Sequence, residues 1–345
     1  MMINKKPLLI LLVLLLQACS SIKTPYSVYL RSTPFMIKTS IGNVEVLQMG
    51  KGLSKKGVVY LIPGFPGSSL ENMPLGSALA SKGYLVYLLN PPGHGRLAIG
   101  NNHWQFRFPQ YAKALDESLR TLQAIHKTRG QQIIIAHSAA AEMVFKLLLN
   151  KTNKRQALPK INEIALINPW LPSISNAPIP WTRDDEDLLN YPPLLVKLFG
   201  PFSKTSVQQR LFLNPHQKQS TRYLVAHEKL TENLGGWWPF DSRFVRLMKA
   251  TTRTQKTILK QGRQYELSKR MLAGLNQQLT MAKTQLIIIN SAKGNDQIIP
   301  SAYKLSLQKA LREKLTNVHM HFTEINNAGH MLQVEQTGEI LKEIL

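Results

Sequence analysis

Five apolar runs constrain what this chain can fold into. "GVVYLIPG" (57–64), "GYLVYLLNPPG" (83–93), "QQIIIAHS" (131–138), "INEIALINP" (161–169) and "TQLIIINSAKG" (284–294) are rich in Val, Ile, Leu and Tyr, and each ends in Pro, Gly, Ser or Asn. None alternates polar with apolar residues. Strands that are apolar on both faces must be covered on both faces, as in a parallel sheet. Helical patterns stand between them. In "YAKALDESLRTLQAIHKTRG", Ala114, Leu115, Ser118, Leu119, Leu122 and Ile125 fall near one face, and Gly130 supplies a stop. "AEMVFKLLLN", "SAYKLSLQKALREKL" and the closing "EQTGEILKEIL" have the same character. Strand alternating with helix predicts right-handed crossovers and a mostly parallel, doubly wound α/β sheet. The segment Tyr26 to Gln48 alternates more and contains Gly42-Asn43, which predicts an antiparallel hairpin at one sheet edge.

The rhythm breaks at Trp170. From there to about Ala282 prolines cluster ("NPWLPSISNAPIP", "NYPPLL", "LFGPF"), and helix-compatible sequence follows without a strand run. This stretch is expected to be an inserted, mostly helical cap. The expected organisation is a signal peptide (1–18), the first part of the core (19–169), the cap (170–282) and the second part of the core (283–345).

Lys5 and Lys6 precede an apolar run from Leu8 to Leu16, followed by "QACSS". A charged start, a short apolar stretch and a small residue before the break are the requirements of a secretory signal, and the run is too short to span a bilayer as a helix. "LLQACSS" resembles the lipobox of bacterial lipoproteins, whose cysteine becomes the acylated first residue of the mature chain. That resemblance implies lipidation at Cys19, the only cysteine of the chain. An intramolecular disulfide is thereby excluded. Ser20 stands where an Asp would retain many lipoproteins at the inner membrane, so the expected location is the bacterial envelope, on the outer-membrane or periplasmic side.

Charge then acquires a direction. Against 20 Asp+Glu the chain carries 43 Lys+Arg, a net +23, which points to an anionic partner but not to a fold. An exported chain tethered to a membrane meets anionic lipid headgroups rather than nucleic acid. Arg246, Lys249, Arg253, Lys256, Lys260 and Arg263 are spaced three or four residues apart and would form one stripe on a helix. The stripe is either a solvated face or a surface that lies against anionic membrane.

Ser138 follows "IIIAH" and precedes "AAAEMVFKLLL", a strand-to-helix junction. Ligands bind at such ends in an open parallel sheet. A serine there exposes its hydroxyl beside the N–H groups of the next helix, although an ordinary N-cap serine would look the same. "AHSAA" resembles the nucleophile elbow G-x-S-x-G of the α/β-hydrolase family, with Ala136 and Ala140 at the glycine positions. "SAKGNDQIIP" is similar to the family's acid loop, which implies Asp296 as the acid. "NNAGHMLQVEQ" resembles its terminal histidine loop, which implies His330 as the base. The order Ser, acid, His is the family's. "LIPGFPGSS" is similar to its oxyanion loop, with Pro63 where His is commonest, implying the backbone N–H groups of Phe65 and Ala139 as oxyanion donors. "NPPGHGR" (90–96) looks like the corresponding loop of monoacylglycerol-lipase-like and lysophospholipase-like members and assigns His94 no catalytic part.

The resemblance covers almost the whole mature chain and implies a serine hydrolase acting on a lipid-like acyl ester, an acyl glycerol or a lysophospholipid, without a cofactor. Amide or thioester cleavage fits the same triad, and a non-catalytic envelope scaffold is the remaining alternative. His137 is expected to pack away from the nucleophile. His319 and His321 alternate along a strand, and neither makes a convincing base. Should Asp296 not be the acid, Glu324 is the next choice. No Cys or His spacing suggests a metal, Asp184, Asp185, Glu186 and Asp187 read as a solvated run, and "PGFPG" lacks the Lys-Ser/Thr of a phosphate-binding loop.

Overall fold

The computed structural model describes residues 32–50, 56–64, 68–92, 94, 108–126, 130–153, 160–175, 269–292, 296 and 299–345. The expected signal peptide, Cys19, Phe65, residues 176–268 and with them the basic stripe lie outside the described residues.

Eight strands form one sheet: β1 (Phe35–Thr39), β2 (Gly42–Met49), β3 (Gly57–Ile62), β4 (Leu85–Asn90), β5 (Gln131–His137), β6 (Glu163–Ile167), β7 (Gln285–Ser291) and β8 (Met320–Ile325), in the order β1-β2-β4-β3-β5-β6-β7-β8. All pairings from β4 to β8 are parallel. The edge hairpin β1–β2 is antiparallel, as is the β2–β4 pair. The hairpin turns at Ser40 and Ile41, and Gly42 pairs with Thr39 as the first residue of β2.

The five apolar runs are β3 to β7, and their lack of alternation has a direct cause. Val58, Tyr60 and Ile62 of β3 face one core layer, and Val59 and Leu61 face the other. The first layer is covered by α2 (Phe108–His126), α3 (Ala140–Asn153), α4 (Lys269–Met281) and α5 (Ser301–Lys314), the second by α1 (Ser69–Ser81), α6 (Leu332–Glu335) and α7 (Thr337–Ile344). Each fully buried aliphatic side chain in these layers contributes about 1.5–3 kcal/mol relative to exposure. In α2 the stripe Ala114, Leu115, Ser118, Leu119 and Leu122 is buried as expected, but Ile125 is 58% exposed. It falls within the arc of the stripe, about 50° from its centre, and stands in the last turn of α2.

Both ends of the stretch expected as cap belong to the core layer. Trp170, Leu171 and Ile174 are buried in it, and α4 contributes Leu275 and Leu279. Gly274 of α4 lies so close to Thr152 of α3 that an added Cβ would come within 2.5 Å of the threonine methyl. The core side therefore extends past the boundaries 170 and 282 in both directions.

Order reverses at β3. The crossover through α1 places β4 on one side of it, and the crossover through α2 places β5 on the other. A crevice opens between loops that leave in opposite directions at such a switch point. Gly64, just beyond β3, and Ser138, just beyond β5, stand at its rim.

Candidate active site

Ser138 occupies the single-residue junction between β5 and the turn into α3. Its φ is +51°, a left-handed conformation that costs an L-residue about 1–2 kcal/mol. Neighbouring backbone holds it there. Its N–H donates to the Ile167 carbonyl (2.9 Å), continuing the β5–β6 ladder, and its carbonyl accepts from the N–H groups of Ala141 and Trp170 (both 3.1 Å). Ala136, Ala139 and Ala140 are all buried around it, so methyl groups fit where the family motif has glycine. Among the described residues the Ala139 N–H meets no backbone acceptor, as an oxyanion donor requires.

Gly64 shows how closely the loop after β3 approaches. A Cβ added there would lie 3.1 Å from the Ser138 Cβ and 2.7 Å from Nδ1 of His137. The Gly64 N–H donates to Oε1 of Glu71 in α1 (2.8 Å), which fixes the chain immediately before Phe65.

Asp296 and His330 meet beyond the ends of β7 and β8. The Asp296 Oδ2 is 3.2 Å from Nδ1 of His330. A carboxylate there keeps the imidazole hydrogen on Nδ1 and leaves Nε2 as the acceptor. Burial raises the proton affinity of the Asp296 carboxyl, but His330, the Lys304 ammonium at 3.3 Å and the Ile299 N–H at 2.9 Å together outweigh it and hold Asp296 down to about 2. His330 moves below the ordinary histidine range because burial disfavours its cation more than Asp296 supports it. The pair thus rests as carboxylate and neutral imidazole. Glu324, on β8, is exposed and is not the carboxylate at the histidine.

Polar residues behind this pair hold the histidine loop. His137 does pack inward, 3% exposed, yet its ring does more than fill space. Its Nε2 donates to the His330 carbonyl (2.9 Å), its Nδ1 is 3.3 Å from Oε1 of Glu71, and its ring lies 4.7 Å from that of His330. Asn168, after β6 at φ +41°, donates from Nδ2 to the carbonyls of Gly329 (3.2 Å) and His330 (3.0 Å). Its Oδ1 accepts from the N–H and hydroxyl of Ser291. Glu71, Asn168 and Lys304 carry no motif in the sequence, and Ser291 only opens the quoted acid loop; their places at strand ends or in the first turns of the following helices are the one signal that could have marked them. His94 is buried edge-on against Tyr111 and is pushed down to about 4 by burial, in keeping with a packing role.

The family model for the alpha/beta hydrolase fold matches residues 57–337. Among solved structures, the chain is similar to a protein of Acinetobacter baumannii AYE designated a lipase (17% identity, TM-score 0.60, 92% of this chain and 91% of that one). It is also similar to a membrane phospholipase A described as a bacterial virulence factor (16%, 0.56, 99% and 97%) and to an esterase of Exiguobacterium antarcticum (14%, 0.56, 90% and 98%). No curated protein matches the chain.

Proposed function

The chain belongs to the alpha/beta hydrolase fold family, and from that premise we propose that it is a serine hydrolase that cleaves a carboxylic ester through an acyl-enzyme. The Ser138 hydroxyl attacks the ester carbonyl while Nε2 of His330 takes its proton. Asp296 keeps His330 in the competent tautomer and stabilises the imidazolium. The N–H groups of Ala139 and Phe65 receive the oxyanion. The imidazolium then protonates the departing alkoxide, and a water activated by His330 releases the acid and restores Ser138. The observation that carries the reading is the buried 3.2 Å contact between Asp296 and His330, beyond the same sheet edge as the left-handed Ser138.

The substrate class we propose is a lipid-like acyl ester, an acyl glycerol or lysophospholipid. Three features support it: the likeness of "NPPGHGR" to monoacylglycerol-lipase-like members, the lipobox-like "LLQACSS", and the membrane phospholipase A among similar structures. In this reading the protein is exported, acylated on Cys19 and held at the envelope membrane. The basic residues Arg246, Lys249, Arg253, Lys256, Lys260 and Arg263 then lie against anionic lipid. Hydrolysis of p-nitrophenyl esters of increasing chain length, by wild type and by Ser138→Ala, tests the chemistry. Turnover that survives in the variant contradicts it.

A further inference from the structure

Lys304 is 6% exposed, and its ammonium points at the acid of the site. A buried ammonium has three hydrogens to satisfy, and here three acceptors surround it: the Ser291 carbonyl (3.0 Å), the Ser291 hydroxyl (2.9 Å) and Oδ2 of Asp296 (3.3 Å). That Oδ2 is the same oxygen that faces Nδ1 of His330. One carboxylate oxygen therefore serves two cationic or potentially cationic partners. The Ser291 hydroxyl passes its own hydrogen to Oδ1 of Asn168, whose amide nitrogen donates to the His330 carbonyl. Lys304 thus touches the base twice at a distance, through the acid and through the loop.

We propose that Lys304 is a positioning residue whose charge sets the basicity of His330. By sharing Oδ2 of Asp296, it limits how strongly that carboxylate retains a proton on the imidazole. The inference rests on the reading of His330 as the base. Its physical basis is simple. A lone carboxylate beside a histidine favours the imidazolium, and in a buried site the effect is large. A fixed cation on the same oxygen cancels part of that field, so His330 stays neutral at lower pH and is ready to accept the Ser138 proton. Burial lowers the Lys304 proton affinity while Asp296 raises it, and Glu324 of β8 adds to the support. Among the described residues, the other titratable groups near His330 include His137 of β5, behind it Glu71 of α1, and Glu335 of α6, whose carboxylate accepts from the Gly329 N–H; all three stay unchanged in the test.

The test is the pH profile of kcat/KM on a soluble short ester, which reports the free enzyme. Lys304→Gln keeps an amide donor toward Ser291 and removes the charge, Lys304→Met removes both, and Lys304→Arg keeps the charge. The acid limb is expected to move upward by on the order of one pH unit in the Gln and Met variants and to stay with the wild type in the Arg variant. A purely structural role predicts a lower kcat with the limb unmoved, or moved downward as Asp296 loses its anchor, and either result overturns the proposal. Should the Met variant not fold, the Gln variant decides. A wild-type limb above the ordinary histidine range also overturns it. His330→Ala in the same assay separates the two levels: an active His330→Ala rejects the base assignment, whereas an inactive one beside an unmoved Lys304→Gln limb rejects only the role of Lys304.

Discussion

Nε2 of His137 donates to the carbonyl oxygen of His330 across 2.9 Å, so the residue preceding Ser138 holds the backbone of His330. A carbonyl can only accept, which fixes a hydrogen on that nitrogen. His137→Ala removes the donor and opens space beside the His330 ring. The expected result is a fall in kcat of about 10–100-fold with little change in KM, since small displacements of a catalytic group are costly. His137→Gln supplies an amide donor and should recover part of the loss. Equal activity in wild type and His137→Ala would mean that Asn168 and Glu335 hold the loop adequately without it.

Gly64→Ala tests the close approach of the loop after β3. The new methyl would come within 2.7 Å of the buried His137 ring and 3.1 Å of the Ser138 Cβ, and neither is the free end of a flexible chain. Overpacking of this kind destabilises by about 1–3 kcal/mol, read as a lower midpoint in urea, and should remove most activity by displacing the Phe65 N–H. An unchanged midpoint would show that the loop can recede.

Much of this was legible in the sequence, and the exceptions share a cause. Strands β3 to β7 stand out because burial on both faces forces unbroken apolar runs. Ser138 and Asp296 stand out because each sits beyond such a run, whereas His330 follows the half-exposed β8 and is marked by the resemblance of its loop. Helix α1 gave no signal: Pro74 interrupts its donors, and it is buried almost all round, so no amphipathic stripe forms. Gly76, mid-helix, is where α1 meets the sheet, its Cβ position 3.1 Å from the Met49 sulfur. Helix α4 lay hidden within the stretch expected as cap because its apolar stripe looks like that of any surface helix. The support residues Glu71, Asn168 and Lys304 are polar types that are normally exposed, and only tertiary contacts make them buried partners of the site.

Acidification should act on activity and stability in the same direction. His330 titrates below the ordinary histidine range, so kcat/KM should hold its plateau below about pH 6.5 before falling. For stability, the unfolded chain protonates His330 near 6.5 while the folded chain does not, so stability declines as pH drops through that value. Asp296, held to about 2 when folded, contributes stability that is present above the ordinary carboxylate range and is lost between about pH 4 and pH 2. Asp296→Asn should flatten that last decline and lower kcat by about 10³–10⁴-fold. Urea midpoints from pH 8 to pH 3, for wild type and variant, measure both. A midpoint that rises on acidification contradicts the assignment of charges.

The envelope location is tested independently of the chemistry. Wild-type protein should fractionate with membranes and yield an acylated N-terminal peptide beginning at Cys19, whereas Cys19→Ser should carry no lipid. An unacylated soluble form should still prefer anionic over neutral vesicles, and salt should weaken that preference. Reversal of Arg253, Lys256 and Lys260 to Glu should reduce vesicle binding and leave turnover of a soluble ester unchanged. A mature chain that retains Met1 would contradict cleavage and lipidation together.

The central claim is that Ser138 is the nucleophile of a serine hydrolase, and covalent labelling tests it most directly. A fluorophosphonate probe reacts with a serine only where a base activates it. Peptide mass mapping of the labelled wild-type protein should place a single adduct on Ser138, and labelling should vanish in Ser138→Ala and fall nearly as far in His330→Ala. An adduct on another serine, or undiminished labelling of a folded Ser138→Ala, would contradict the account.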